Sequence, residues 1–190
     1  MPVTPLDART ALLPIDVQLA FDDPRWGRRG NPAMEANGLR LLAAWRERGW
    51  PLLHVRHDSV TAGSTLHPSS PGNAFKPGYG PRGAEPVIAK SVNAAFIGTD
   101  LELRLRRLDV RTVVLFGITT DMCVSTSARV ASNLGFATVV VGDATATFDL
   151  RDTGGAVIAA EEVARIHLAT LNAEFAEVVD TDALLARLAP

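Results

Sequence analysis

The chain has 190 residues and one cysteine, 47% of its residues are hydrophobic, and its 19 basic and 21 acidic residues leave a net charge of −2. This length suits one globular domain, placed at residues 1–190, and the charge excludes the basic surface typical of a nucleic-acid binder. A lone cysteine forms neither an internal disulfide nor a cysteine zinc cage. Without a signal peptide or an apolar run near the ~20 residues of a membrane span, we expect a cytoplasmic protein with no membrane partner.

The first half of the chain predicts three strands, one helix and a long loop. The predicted strands are the continuous apolar runs at residues 11–17, 52–56 and 87–89. Residues 34–48 form a helical pattern with Leu39, Leu42 and Trp45 on one face. Residues 57–86 are rich in glycine, proline and serine, and their length is typical of a binding loop or lid.

The second half alternates helices and strands. The predicted strands are residues 112–116, 138–141 and 176–179, and the helices are residues 121–134, 153–171 and 183–188. A further helix begins at Thr99, where Glu102 completes a capping-box pattern and Leu101, Leu105 and Leu108 form the inner stripe. The stripe of the long helix consists of Val157, Ala160, Ala164 and Leu168.

This alternation predicts one α/β domain. Its strands are apolar throughout rather than at every second residue, which indicates a sheet covered by helices on both faces. We therefore predict a three-layer α/β/α fold with a six-stranded, mostly parallel and doubly wound sheet of the Rossmann type.

Three side chains with chemical potential fall at strand ends of this predicted sheet. Asp16 ends the first strand, Lys90 ends the third, and Cys123 starts the helix after the fourth. Ligands of open α/β sheets bind at this edge, and thiol catalysis uses a nucleophile, a proton acceptor and a cation. A helix N-terminus also lowers a thiol pKa. The alternatives are a small buried cysteine, a solvated acid and a surface lysine, although the chain has only two lysines.

Three segments carry a resemblance to a known family. They are LLPIDVQLAF (residues 12–21), VIAKSVNAAF (residues 87–96) and GITTDMCVSTSARVASNLGF (residues 117–136). In order and spacing the chain resembles the isochorismatase-like cysteine hydrolase superfamily, which includes nicotinamidases, N-carbamoylsarcosine amidase and ureido amidases.

The resemblance implies a role for each matched residue. Cys123 is the nucleophile, Asp16 the general base, and Lys90 the neighbour that keeps the pair ionised and reactive. A non-proline cis peptide precedes Thr119, and the backbone N–H groups of Thr119 and Cys123 form the oxyanion hole. The implied oligomer is a homodimer or homotetramer.

These residues predict a hydrolase without a cofactor. We expect a metal-independent cysteine hydrolase that cleaves a small amide, ureido or carbamoyl substrate through a thioester. One alternative is hydrolysis of an isochorismate-type vinyl ether, although Cys123 favours the amide reaction. The other is a thiol sensor or binding protein on the same fold.

The loop residues predict the substrate pocket less sharply. Nicotinamidases carry an Asp-Trp-His run and a further histidine that bind a metal, whereas this chain offers only His57, Asp58 and His67, so we expect no metal. The candidate substrate-binding residues are Phe21, Trp26, Arg56, His57, Phe75, Tyr79 and Phe96.

Overall fold

Eight strands are present in the computed structural model, which describes residues 6–188 of the chain. They are β1 (Thr10–Ile15), β2 (His54–His57), β3 (Val87–Lys90), β4 (Thr112–Ile118), β5 (Ala137–Ala146), β6 (Leu150–Arg151), β7 (Val157–Ile158) and β8 (Glu177–Val179). Six of them form one sheet in the order β3-β2-β1-β4-β5-β8, and every neighbouring pair is parallel. The order reverses between β1 and β4, which is the doubly wound arrangement, so the predicted fold class is confirmed.

Helices cover both faces of this sheet. They are α1 (Met34–Arg48), α2 (Leu101–Arg107), α3 (Ser125–Asn133), α4 (Ala160–Thr170) and α5 (Thr181–Leu185). On one face Leu12 of β1 belongs to the same buried cluster as Trp45 of α1 and Leu184 of α5. On the other, Leu13 shares a cluster with Leu105 of α2. Adjacent residues of β1 thus serve opposite cores, as the alternation of strand side chains requires. No described helix is long and apolar enough to cross a membrane.

The predicted start of the second helix is wrong in detail. Asp100, not Thr99, is the residue before the helix, and its side chain makes no capping bond. The Thr99 hydroxyl donates to the Ala95 carbonyl over 2.6 Å and accepts the Leu101 N–H over 3.4 Å. Because α2 ends at Arg107, Leu108 lies outside the helix and is 51% exposed rather than part of the inner stripe.

The long helix predicted at 153–171 is shorter than expected. Residues before Ala160 form the antiparallel hairpin β6–β7, and Val157 in that hairpin is 58% exposed. Asp149 accepts a hydrogen bond from the Ala160 N–H and so satisfies one donor at the helix start. The predicted face of α1 also needs a correction, because Leu39 is 40% exposed.

The last predicted helix is shifted toward the N-terminus. It spans α5 rather than residues 183–188, because the Asp180 carboxylate caps the Ala183 N–H at 2.7 Å and fixes the start. Leu188 instead forms a parallel bridge with Leu6.

Candidate active site

Asp16 leaves the regular strand geometry at the end of β1. Its φ is 52°, in the left-handed region that aspartate tolerates better than most residues. If the alternation of strand side chains continued, residue 16 would point to the face of the sheet that carries Leu12. The Asp16 carboxylate instead contacts Lys90, on the face that carries Ile15 and Cys123. The backbone turn at Asp16 is therefore what brings the carboxylate to the site.

Lys90 connects the other two predicted residues. Its Nζ donates to Asp16 Oδ2 over 2.5 Å and to Cys123 Sγ over 3.4 Å. The side chains of Lys90 and Asp16 have no exposed surface, so the ion pair is fully withdrawn from water. The structure thus brings Asp16, Lys90 and Cys123 together as the sequence predicts.

Cys123 lies on a single π-helical turn, Thr120–Val124, that leads into α3. Its side chain is buried, and Sγ donates a long contact of 3.8 Å to Oδ1 of Asn93. The turn follows the Ile118–Thr119 peptide, which is cis as the resemblance implies. Just before it, Gly117 has a φ of 128°, and a Cβ there would stand 2.1 Å from the Ile15 carbonyl oxygen. Only glycine lets β4 approach β1 this closely beside the site.

Burial sets the protonation of the site. The sequence predicts a lowered thiol pKa, and the structure gives the opposite direction: burial raises the pKa of Cys123, the Asp16 charge raises it further, and Lys90 offsets only part. Burial also raises the pKa of Asp16 against the opposing effect of Lys90. Burial thus favours the protonated form of both groups. The Lys90 charge acts in the opposite direction and favours the ionised form of both groups, and its implied role in keeping the pair reactive stays a prediction.

His57 is a third partner of Lys90. It ends β2, directly opposite Lys90 in the parallel register, and its Nδ1 lies 3.1 Å from Lys90 Nζ. The ring is half-buried, and burial together with the Lys90 charge lowers its pKa. A neutral ring with Nδ1 as acceptor follows, with the ring proton on Nε2.

Comparison with known proteins identifies the family of the chain. The isochorismatase domain model matches residues 10–183. The chain belongs to the isochorismatase family. The chain is 43% identical to the uncharacterized isochorismatase family protein YrdC of Bacillus subtilis. The alignment covers 95% of this chain and 96% of YrdC. A crystal structure of an isochorismatase-family protein from Chromobacterium violaceum is 45% identical, with 98% of each chain covered and a TM-score of 0.93.

Two relatives with named activities match parts of this isochorismatase-family chain. Streptothricin hydrolase of Streptomyces noursei is 33% identical over 143 residues, which are 74% of this chain and 50% of that protein. Nicotinamidase 3 of Arabidopsis thaliana is 33% identical over 102 residues, which are 54% of this chain and 46% of that protein. The chain is therefore an isochorismatase-family hydrolase.

The donor set at the site does not suit a metal. Ligand atoms of Asp16, His57 and Cys123 lie within 4.8 Å of one another, and these residue types bind zinc elsewhere. Here, however, the Lys90 ammonium contacts all three, and a divalent cation among them would be repelled by it.

The loop residues His57, Asp58 and His67, which could replace the nicotinamidase metal ligands, do not form a metal site. Asp58 receives a two-point ion pair from Arg56 and a hydrogen bond from Asn73. His67 binds Ser69 through Nδ1. Arg56 is thereby engaged with Asp58, which counts against its predicted contact with substrate.

Tyr79 is not a pocket wall in this isochorismatase-family chain. It is 1% exposed, it packs near Phe116, and its hydroxyl donates to the Glu35 carbonyl over 2.6 Å. A Cβ on Gly38 of α1 would stand 2.4 Å from that hydroxyl, so helix and ring are in direct contact. The prediction placed a core residue at the site because an aromatic residue in a loop has the same sequence signature in either role.

The four phenylalanine and tryptophan candidates lie in three different surroundings. Phe21 and Trp26 form an aromatic cluster with Phe148, with ring centroids 4.9 to 6.2 Å apart. Phe96 shares its buried cluster with Cys123. Phe75 packs against His54 with the ring centroids 5.8 Å apart. Their part in substrate binding stays a prediction.

Sequence reasoning missed three polar residues beside the site. Asn93 contacts the thiol, while the buried side chains of Gln18 and Asn73 hold the backbone of His57. Gln18 was detectable, since a glutamine two residues after a strand-end acid stands within a buried run. Nothing in the loop pattern distinguishes Asn73.

Proposed function

We propose that the chain is a metal-independent cysteine hydrolase that cleaves a small amide, ureido or carbamoyl substrate through a thioester. The observation that carries this proposal is the Lys90 ammonium bound at once to the Asp16 carboxylate and the Cys123 sulfur, in a site where Asp16 and Lys90 are fully withdrawn from water. Nucleophile, base and cation are the three groups that a thiol acyl transfer needs.

In the first half-reaction Asp16 takes the thiol proton as Sγ of Cys123 attacks the substrate carbonyl carbon. One oxygen of Asp16 binds Lys90, and among the described residues the other has no hydrogen-bond partner, so it is available for the proton. The backbone N–H groups of Thr119 and Cys123 stabilise the oxyanion. When the C–N bond breaks, Asp16 returns the proton to the leaving nitrogen, and a thioester remains.

In the second half-reaction water replaces the amine. Asp16 takes a proton from the water as the water oxygen attacks the thioester carbon. The C–S bond then breaks, and the departing sulfur recovers a proton from Asp16, which restores the resting thiol. Lys90 compensates the negative charge that appears first on sulfur and then on the carboxylate. The raised pKa of Asp16 makes it a better base for both steps.

Substrate choice is tested with a chemical panel. Simple amides, ureides, N-carbamoyl compounds and nicotinamide are incubated with the wild-type chain, and released ammonia or amine is measured. We expect release from at least one member, and no release from the Cys123→Ala and Cys123→Ser variants. Turnover by Cys123→Ala contradicts the covalent mechanism. A vinyl-ether substrate serves as the comparison, because its cleavage frees no ammonia.

Mass spectrometry gives a second, direct readout. An acyl adduct on Cys123, the sole cysteine, is expected when a slowly hydrolysed ester analogue is mixed with the wild-type chain.

Assembly into a homodimer or homotetramer and a cytoplasmic location belong to the same proposal. Sedimentation at several protein concentrations tests the assembly.

A further inference from the structure

We propose that His57 is a positioning residue of the cysteine site: its imidazole accepts the third N–H of Lys90 and thereby holds the ammonium between Asp16 and Cys123. This inference rests on the proposed nucleophilic role of Cys123. It assigns His57 a role toward the catalytic cation, in place of the substrate contact predicted from the sequence.

The geometry of the ammonium carries the argument. A lysine ammonium has three N–H donors and no acceptor. Lys90 Nζ has three partners, which are Asp16 Oδ2 at 2.5 Å, His57 Nδ1 at 3.1 Å and Cys123 Sγ at 3.4 Å. Each donor thus has one acceptor, and the Lys90 side chain is fully buried, so water does not supply a substitute.

Loss of the His57 acceptor would change where the ammonium lies. A buried donor without a partner is costly, and the ammonium would rotate or shift to recover one. The weakest of its remaining contacts is the long one to Cys123 Sγ, so that contact is the first to suffer. The effect of His57 on the thiol is therefore transmitted through Lys90.

The backbone of His57 is fixed by buried side chains. Gln18 Oε1 accepts the His57 N–H at 2.9 Å, and Gln18 Nε2 donates to the His57 carbonyl at 3.1 Å. Asn73 Nδ2 donates to the same carbonyl at 3.0 Å. Gln18 has no exposed surface, and it stands two residues after Asp16. Hydrogen bonds therefore connect Asp16 to Lys90, Lys90 to His57, and His57 to Gln18, which lies beside Asp16 in the chain.

The charges around the His57 imidazole are consistent with its role as a hydrogen-bond acceptor. Lys90, Asp16 and Asp58 are the charged groups that act on His57. Burial and the Lys90 charge both lower the pKa of His57, which favours the neutral imidazole that can accept at Nδ1. A protonated ring would face the ammonium with like charge.

Alkylation of Cys123 tests this without a substrate. Because the chain has one cysteine, the rate of iodoacetamide modification reports on that thiol alone. The rate is measured over a pH series for wild type, His57→Phe, His57→Asn and the control His67→Asn. His67 is a half-buried loop histidine whose ring hydrogen-bonds to Ser69. For His57→Phe we expect the midpoint to move up by about one pH unit, with a rate about tenfold lower below it.

The conservative variant separates positioning from packing. Asparagine places a carbonyl oxygen near the position of Nδ1, so His57→Asn should recover most of the wild-type rate. Equal profiles for wild type and His57→Phe overturn the proposal, and so does a His57→Asn variant as slow as His57→Phe. If circular dichroism shows His57→Phe unfolded, His57→Asn is compared with His57→Gln, whose longer chain misplaces the oxygen, and equal rates overturn the proposal.

The two experiments distinguish failure of the positioning role from failure of the proposed hydrolase function. If the substrate panel yields no product while the His57 variants still differ in alkylation, the hydrolase proposal fails and the positioning role stands. If the panel yields product while the variants alkylate alike, the positioning role fails alone.

Discussion

The Asp16 carboxylate accepts a hydrogen bond from the Lys90 ammonium over 2.5 Å, and neither side chain has exposed surface. The two residues are 74 positions apart in the sequence, and their strands β1 and β3 are separated in the sheet by β2. A buried pair of this kind is costly to break, because each partner alone would be an uncompensated charge away from water.

Removal of one partner should destabilise the fold, and removal of both should restore part of the loss. Asp16→Asn or Lys90→Met is expected to lower the free energy of unfolding by about 3 to 5 kcal/mol. The double variant should lose clearly less than the sum, since it leaves no unpaired charge. Urea denaturation of the four chains measures this. Additive losses would show that the pair makes no coupled contribution.

The acid limb of the activity should lie above the ordinary carboxyl range. Asp16 acts as a base only when it is unprotonated, and burial raises its pKa. Activity is therefore lost as the pH falls through a value above the usual ~3.9 for aspartate. The dependence of kcat/KM on pH, measured with a substrate that does not titrate in this range, checks the expectation. An acid limb at or below pH ~4 contradicts it.

Gly117→Ala should damage both stability and the site. The added Cβ would collide with the Ile15 backbone, and the φ of 128° is unfavourable for alanine. We expect more than about 1 kcal/mol of destabilisation, together with loss of turnover. Gly80→Ala is the matched control, since no atom lies within 4 Å of its added Cβ. Thermal melting and turnover of both variants are compared. A Gly117→Ala chain that behaves like Gly80→Ala refutes the close-approach argument.

Glu85 should make stability depend on acid pH. Burial alone would raise its pKa, but hydrogen bonds from Arg46, the Arg82 N–H and His54 outweigh it and lower the pKa to about 2. A lowered folded-state pKa means that this stability is present above the unfolded value near 4.5 and is lost as the pH falls toward 2.

Glu85→Gln should accordingly cost about 2 kcal/mol at neutral pH and little at acid pH. Chemical denaturation at several pH values measures the difference between the chains. Glu47→Gln, at a side chain that is 81% exposed, is the control and should change little at any pH. A loss that is the same at all pH values would contradict the ion-pair account.

The sheet was predictable because its strands are continuous apolar runs, a pattern typical of parallel strands buried on both faces. Helix ends were harder. At Thr99 the capping pattern is present, but the hydroxyl donates to Ala95 as well as accepting the Leu101 N–H, and the helix begins only at Leu101. Before Ala160 a hairpin takes residues whose spacing also fits a helix. In both places a competing local hydrogen-bond arrangement is as good as the predicted one, and periodicity does not distinguish them.

The site was predictable as far as the sheet determines it. Asp16, Lys90 and Cys123 follow strands, and the ends of parallel strands converge on one edge. The thiol pKa was predicted in the wrong direction because burial is a property of the packed fold and not of the helix start. His57 received a substrate role because its position beside Lys90 depends on the β2–β3 register and on Gln18 and Asn73.

The two lysines have a practical consequence for work with this protein. Lys76 is 6% exposed and ion-paired with Asp22 and Glu35, and Lys90 is 2% exposed and paired with Asp16, so both lysine side chains are buried and ion-paired in the folded chain. Amine-directed cross-linkers, biotinylation reagents and lysine-specific proteases are therefore expected to react slowly with both lysines of the folded chain. The rate of lysine labelling should therefore report how often the regions around Lys76 and Lys90 open.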